Sequence, residues 1–362
     1  MRKLNFSIVG CGRISYKHVD ALIKNSDLAN LVATCDVNLD RAKAKSEEYL
    51  IKSGKLNHNV NVYDDYKKML DEQPDIDVVI IATESGYHAD IAINCMNKYK
   101  HVIVEKPMAM SIEDAEKMIE VAKEKNVKLS VAHQNRFNKP IQKLRCAVEN
   151  NKLGRIMNGT ARVLWRRDDN YYKQAPWRGT WDLDGGTLMN QCIHNIDLLQ
   201  WMLGGEVERV YAETETFRNP IEGEDFGAIL VRFKSGAIGI IEGSAVVYPK
   251  NLEETLSVFG SDGTVVIGGL AVNELKTWRF EGEDEEEAKS DLQVEIENVY
   301  GEGHTPLIRD VIEAINNDRK PYISGEDAII PLSIILAAYK SKKTGVPIEF
   351  PLKNFSSADM KK

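Results

Sequence analysis

From Leu4 onward the chain alternates short, continuous apolar runs with amphipathic stretches. Leu4 to Val9, Leu31 to Cys35, Val78 to Thr83, His101 to Val104 and Lys128 to Ala132 read as strands buried on both faces. Between them, sequence to about Lys24, Tyr66 to Leu70, His88 to Lys98 and Ser111 to Glu124 has helical spacing. Ser111 stands as the N-cap of the last, with Asp114 at its third position. Strand and helix in alternation predict a parallel, doubly wound sheet whose ligands lie at the carboxyl ends of the strands.

After a helix over Pro140 to Glu149 the pattern changes. Met157 to Trp165, Val207 to Thr216, Gly227 to Phe233, Ala237 to Val247, Glu254 to Phe259 and Thr264 to Ile267 alternate apolar with polar, and turns such as Lys234-Ser235-Gly236 join them. That pattern predicts antiparallel strands with one face packed and one open. The expected organisation is α/β: a Rossmann domain over residues 1–132, then a domain over 133–362 with a large, mostly antiparallel open sheet. Two late helices, His304 to Asn317 and Gly325 to Lys342, are expected to pack back on the first domain. Ala237, Ile241 and Ala245, with Gly239 and Gly243 between them, mark an uncovered face suited to a second copy of the chain, hence a homodimer or homotetramer.

The segment GGTLMNQCIHNIDLLQW, Gly185 to Trp201, is the most informative helix candidate. At 3.6 residues per turn Thr187, Asn190, His194, Asp197 and Trp201 share a stripe, while Met189, Ile193, Ile196, Leu199 and Leu203 cover the core side. A polar stripe of His, Asn, Asp and Trp differs from the Lys and Glu of an ordinary solvated face.

Composition narrows the class. With 362 residues, 43% hydrophobic and 28% charged, the chain reads as two globular domains. A formal charge of -8 argues against nucleic acid or an anionic membrane as the main partner. Five scattered cysteines, none paired as C-x-x-C, suggest neither a disulfide framework nor a metal site and fit a reducing cytoplasm. No signal-peptide pattern opens the chain, and the most apolar later run, Ala328 to Tyr339, falls short of the ~20 residues that span a bilayer. The acidic Glu281 to Glu287 reads as a solvated loop.

Gly10-Cys11-Gly12-Arg13-Ile14-Ser15 follows the first strand directly. Gly10 suits the tight turn, Gly12 the close approach of a pyrophosphate, and Ser15 is small enough for the helix–strand contact. Asp36 ends the second strand 24 residues past Gly12. A carboxylate there accepts hydrogen bonds from adenosine ribose hydroxyls and repels a 2'-phosphate, so NAD is favoured, although Arg41 lies nearby. Thr83, Glu84, Glu105, Lys106 and Gln134 to Arg136 all fall at strand ends. A lysine partly desolvated beside a cationic nicotinamide has its pKa lowered towards neutrality, where it serves as a general base, and Lys106 is the candidate.

Together, the glycine turn, Thr83 with His88, Glu105-Lys106-Pro107 and the Gly185-Gly186 to His194 helix resemble the glucose-fructose oxidoreductase / inositol dehydrogenase (Gfo/Idh/MocA) family over nearly the whole chain. The resemblance implies that Lys106 and His194 meet at a substrate hydroxyl and that the Lys106-Pro107 bond is cis; Asp197, one turn along the same face as His194, is the candidate to orient the histidine. The candidate cofactor contacts are Gly10, Gly12, Arg13, Ile14, Asp36, Thr83, His88, Glu105, Lys106 and Gln134. The commoner family pattern has Asp four residues before the histidine, where this chain has Asn190. Between Trp165 and Trp181 lies a loop dense in Arg, Tyr and Trp, which reads either as a subunit rim or as a pocket for a sugar and an anion. It resembles the branch acting on UDP-N-acetylglucosamine-type nucleotide sugars. That implies oxidation at C3 of UDP-GlcNAcA, with UDP-GlcNAc or a free cyclitol or sugar as alternatives. Arg136, Arg166, Tyr172, Trp177, Arg178 and Asn190, with Lys106 and His194, are the candidate substrate contacts. A dinucleotide-binding regulator would need neither Lys106 nor His194, so their joint presence favours an enzyme.

Overall fold

The computed structural model describes residues 1–269, 271–290 and 301–361. The chain forms β1 (Leu4–Val9), β2 (Ala29–Cys35), β3 (Asn61–Tyr63), β4 (Val78–Ile81), β5 (His101–Val104), β6 (Leu129–Val131), β7 (Ile156–Leu164), β8 (Val207–Glu215), β9 (Phe226–Phe233), β10 (Ile238–Ser244), β11 (Glu253–Gly260), β12 (Gly263–Gly268), β13 (Glu274–Phe280) and β14 (Ile348–Glu349). Its α-helices are α1 (Ser15–Lys24), α2 (Leu39–Ser53), α3 (Tyr66–Glu72), α4 (His88–Asn97), α5 (Ile112–Glu124), α6 (Lys139–Glu149), α7 (Asp169–Lys173), α8 (Ile193–Met202), α9 (Glu285–Ser290), α10 (His304–Asn316) and α11 (Gly325–Thr344). Two compact units result: residues 1–109, 114–132 and 304–328 form the first, and 110–113, 133–303 and 329–362 the second.

The first unit holds a six-stranded parallel sheet in the order β3-β2-β1-β4-β5-β6. Its central strands are buried throughout, as their unbroken apolar sequence requires: every residue of Val78–Ile81 is fully buried. The order reverses between β1 and β4, and the crevice at the carboxyl ends of those strands is where such sheets take a dinucleotide. Helix α10 packs on α1 in this unit.

The second unit holds an eight-stranded sheet in the order β13-β12-β11-β7-β10-β9-β8-β14. Every pairing is antiparallel except β7 with β10. Helix α8 lies across one face. Cβ atoms added at Gly159, Gly239 and Gly243 would meet Leu199 and Leu203, Leu199, and Cys192 and Leu188 respectively. This corrects the choice of open face. Ala237, Ile241 and Ala245 are buried beneath the helix, and their neighbours are small because α8 needs the room. The open face carries the alternate residues, with Tyr211, Leu230 and Ile240 in register across β8, β9 and β10 and each more than a third exposed. A second difference is α9: residues 285–287 of the acidic stretch form its first turn, with no buried side chain. Among the described residues, no helix is long and apolar enough to cross a membrane.

Candidate active site

In the first unit the glycine turn is built as its sequence demands. Gly10 has φ +91°, and a Cβ there would stand 2.5 Å from the carbonyl carbon of Ala82. A Cβ at Gly12 would meet nothing within 4 Å, so a phosphate can come up to the backbone. Ser15 is fully buried, and its hydroxyl donates to the carbonyl of Gly12 at 2.6 Å. Helix α1 starts with no side-chain cap and no acid in its first turn, so the positive end of its dipole favours an anion there. Arg13 is exposed and Ile14 half-buried at that start. The Asp36 carboxylate accepts the N–H groups of Cys11 and Asn38, both at 2.8 Å, which fixes it beside the turn where an adenosine ribose would reach it.

Thr83 and Lys106 are half-buried at the ends of β4 and β5, and the Lys106-Pro107 bond is cis. His88 is placed differently from a ligand contact. It is buried, with Nδ1 2.8 Å from the Pro107 carbonyl and Nε2 3.1 Å from that of Thr83. Burial pushes its pKa down, so the neutral ring gives its one proton to the nearer carbonyl, that of Pro107, and ties the start of α4 to the segment after β5.

Glu105 is likewise buried, and its Oε1 lies 2.9 Å from His18 Nε2 and 3.3 Å from His304 Nε2. Burial opposes the charge, but the two imidazole donors outweigh it and hold the carboxyl well below its usual range. These three side chains also have the spacing of metal ligands. The buried Nδ1 atoms of both histidines have no hydrogen-bond partner, however. A metal on Nε2 would force each proton onto Nδ1 as a stranded donor, whereas donation from Nε2 to Glu105 leaves Nδ1 only an unmet acceptor. The trio is satisfied as a hydrogen-bonded clamp.

In the second unit the run from Gly185 does not form one regular helix. Leu188–Cys192 is a π-helical turn, and α8 follows it. The turn puts one residue more than 3.6-residue counting allows between Thr187 and His194. Asn190 is half-buried, and its amide donates to the carboxylate of Asp184, which also accepts the Gly179 N–H at 2.7 Å. A carboxylate therefore stands one contact behind Asn190, supplied by Asp184. His194 is half-buried, with the ring of His133 edge-on at 5.6 Å.

The expectation that Asp197 orients His194 meets another geometry. Asp197 is fully buried, and its two oxygens accept Arg136 Nε at 2.7 Å and Nη2 at 2.6 Å, with Gln200 donating at 3.2 Å. Arg136 is 2% exposed and stacks 4.6 Å from the Trp201 ring, so it is spent on this pair rather than held out to a substrate. Gln134 is buried beside it in sequence, with its Oε1 unpartnered.

The aromatic loop does gather its cations. Asp168 caps α7 through the Tyr171 N–H at 3.0 Å. The Tyr171 hydroxyl accepts Arg178 Nη1 at 2.5 Å and Gln191 Nε2 at 3.2 Å, which ties the loop to the π-turn. Arg178 stacks 4.3 Å from Tyr171 and 4.9 Å from Trp177, and Arg167 stacks on Trp165 and Tyr171. Arg166 Nη1, Arg167 Nε and Arg178 Nε are buried N–H donors with no acceptor. Tyr172 is buried, its phenol pushed up by that burial. Sequence reasoning missed His18, His133, Asp184, Glu224 and His304. Each is a single polar residue without a motif around it, legible only once the fold brings partners to it.

A parallel sheet of this order with a glycine turn, a carboxylate at the end of β2 and a lysine at the end of β5 defines a nicotinamide-dinucleotide oxidoreductase. Residues 4–133 match the NAD-binding Rossmann-fold oxidoreductase family, and 141–266 match the GFO/IDH/MocA C-terminal domain. The chain belongs to the Gfo/Idh/MocA family and is an NAD-dependent dehydrogenase acting on CH–OH groups of sugars or polyols. It is 36% identical to the WlbA dehydrogenase from Bordetella pertussis, solved in complex with NADH and UDP-GlcNAcA, with TM-score 0.84 over 97% of this chain and 100% of that one. It is also 36% identical to the Chromobacterium violaceum WlbA dehydrogenase in the same complex, with TM-score 0.87 and 98% of each chain covered. Myo-inositol 2-dehydrogenase of Thermotoga maritima is 28% identical over 355 residues, 96% of this chain and 99% of that protein.

Proposed function

We propose that the chain oxidises the C3 hydroxyl of UDP-GlcNAcA to the 3-ketone, in the biosynthesis of surface-polysaccharide sugars. The observation that carries this reading is the clustering of the Arg166, Arg167 and Arg178 guanidinium groups on one loop, with Arg167 and Arg178 stacked on Trp165, Tyr171 and Trp177. A long anionic substrate meets that donor set; a neutral cyclitol does not. The 36% identity to two dehydrogenases solved with UDP-GlcNAcA supports the same class.

Bound NAD supplies the hydride acceptor, C4 of its nicotinamide. Gly10, Gly12 and Asp36 hold the dinucleotide. Lys106 takes the hydroxyl proton as the C3–H hydride leaves, and His194 donates a hydrogen bond that orients that hydroxyl. Asn190, backed by Asp184, presents its amide to the sugar. The free thiols of all five cysteines suit a reducing cytoplasm. Tyr211, Leu230 and Ile240 form the face on which two copies associate. Ile240→Lys should then yield monomers in sedimentation, and a wild-type protein already monomeric at micromolar concentration refutes that assembly.

Oxidation of an inositol is the second reading, favoured by the full-length similarity to the Thermotoga maritima enzyme. The test incubates the protein with NAD and UDP-GlcNAcA, UDP-GlcNAc or myo-inositol, with and without a 2-oxo acid to reoxidise retained NADH. Absorbance and product mass are followed. Loss of two hydrogens from the uronate alone is expected; turnover of inositol with neither nucleotide sugar oxidised overturns the proposal.

A further inference from the structure

The π-turn that carries Asn190 has an unusual anchor. The first N–H groups of a helix have no acceptor within it, and here they are met from outside. The Leu188 N–H donates to Glu224 Oε1 at 2.7 Å, and the Thr187 N–H donates to the Glu224 carbonyl at 2.8 Å. The Gly186 N–H donates to the Tyr339 hydroxyl at 3.3 Å, and that hydroxyl donates to Glu224 Oε1 at 3.2 Å. The fit leaves no slack, because a Cβ at Gly186 would fall 1.8 Å from Glu224 Oε2. Glu224 is 2% exposed, and its Oε2 has no partner.

We propose that Glu224 is a positioning residue of the active site: by accepting the Leu188 N–H directly, and the Tyr339 hydroxyl that in turn accepts the Gly186 N–H, its carboxyl fixes the π-turn, and with it the heading of Asn190 and His194. The inference rests on the reading above that His194 acts on the substrate hydroxyl. A π-turn is one residue out of step with the α-helix it joins, so it persists only where its ends are held. Glu224 holds one end; Asn190, through the Gly186 carbonyl and the Asp184 carboxylate, continues the same hold.

The groups facing Glu224 are Tyr339 of α11, Tyr172 of α7, Asp184 before the turn, and Asp225 beside it. Asp225 is already engaged by the N–H groups of Phe217, Arg218 and Asn219 and by the Asn219 amide. Burial, foremost, pushes the Glu224 carboxyl up to about 8. The Leu188 N–H and the Tyr339 hydroxyl on Oε1 favour the charged form against burial, so the anion grips the turn more firmly than the neutral acid, whose proton has no acceptor at Oε2.

The test compares Glu224→Gln, Glu224→Ala and His194→Ala by kcat, KM, NAD affinity and pH profile, using whichever substrate the protein turns over. Glu224→Gln keeps an acceptor for the Leu188 N–H and cannot ionise. It should retain wild-type kcat at pH 7 within about threefold and lack an inflection near pH 8 that the wild type shows. Glu224→Ala should lose at least tenfold in kcat with NAD affinity within twofold. A wild-type profile without that inflection, or one that Glu224→Gln leaves in place, overturns the proposal even if Glu224→Ala fails to fold. Turnover retained by His194→Ala overturns the reading of the site and the inference with it; loss in His194→Ala alone, with both Glu224 variants normal, overturns only the inference.

Discussion

The Arg136–Asp197 pair decides whether Asp197 serves chemistry or architecture. Both side chains are 2% exposed or less, the contacts are bidentate at 2.6 and 2.7 Å, and Trp201 covers the guanidinium. Removing one partner strands a buried charge, which costs about 3–5 kcal/mol, whereas replacing both by apolar residues of similar volume is often close to neutral. At roughly 2–4 °C per kcal/mol for a unit of this size, Arg136→Met or Asp197→Leu should lower the unfolding temperature of the second unit by roughly 6–20 °C. The double variant Arg136→Met/Asp197→Leu should recover most of that loss, with a coupling of at least about 2 kcal/mol in a double-mutant cycle. The assay is calorimetry paired with kcat per folded molecule at a temperature where every variant is folded. An architectural pair predicts a stable double variant that keeps turnover within about tenfold. Single variants losing under about 1 kcal/mol, or a stable double variant with turnover abolished, would refute the reasoning and return Asp197 to the catalytic set.

Three further outcomes follow from the described contacts. Gly10→Ala drives a methyl to within 2.5 Å of the Ala82 backbone at φ +91°, so NAD-induced quenching of intrinsic fluorescence should vanish and the first unit should melt earlier; normal NAD affinity would contradict the turn's role. Burial pushes the pKa of His101 down to about 4, and its Nδ1 accepts the Lys128 N–H at 2.9 Å. The native state therefore resists a proton that the unfolded chain takes near pH 6.5, and stability is lost as pH falls from about 6.5 to 4. His101→Asn should flatten that slope in urea titrations, and an unchanged slope would place its source elsewhere. Arg178→Ala should raise KM for a UDP-sugar by roughly 10–150-fold, the equivalent of one charge-assisted hydrogen bond of about 1.5–3 kcal/mol, with NAD affinity unaltered; an unchanged KM would remove Arg178 from the substrate pocket.

Legibility followed the physics of each element. The first unit was readable because parallel strands are buried on both sides, so Val78 to Ile81 appear as an unbroken apolar run. The glycine turn was readable because Gly10 has a steric requirement that no other residue meets. The face of β10 was misread because Ala237, Gly239 and Gly243 look like an open, featureless surface. They are small for the opposite reason, since Leu188, Cys192 and Leu199 press against them. Counting in steps of 3.6 from Thr187 could not reveal a π-turn, because its opening N–H is met by Glu224, distant in sequence. Arg136 reads as a ligand contact from its position at a strand end and His88 from the family resemblance, yet both are turned inward, to a carboxylate and to carbonyls. Position along a strand is visible in sequence; the direction of a side chain at its end is set by partners from elsewhere.

The composition of the first unit has a consequence for how the protein is made. All six strands of its sheet are encoded by residue 131, yet the unit also contains 304–328. From that late segment His304 completes the clamp on Glu105, Thr305 accepts the Asn25 amide, Arg309 pairs with Asp27, and Ile323 accepts Val131 N–H and Ser130 Oγ. From residue 132 to residue 304 the ribosome must add 172 residues, roughly 10–30 s of synthesis at ordinary translation rates. During that interval a nearly finished nucleotide-binding sheet waits with the side of α1 bare where Leu307, Ile308, Val311 and Ile312 will bury. A nascent chain in that state is the form for a chaperone to recognise. A message truncated anywhere before His304 yields a protein whose first unit lacks its closing helix, however complete its glycine turn.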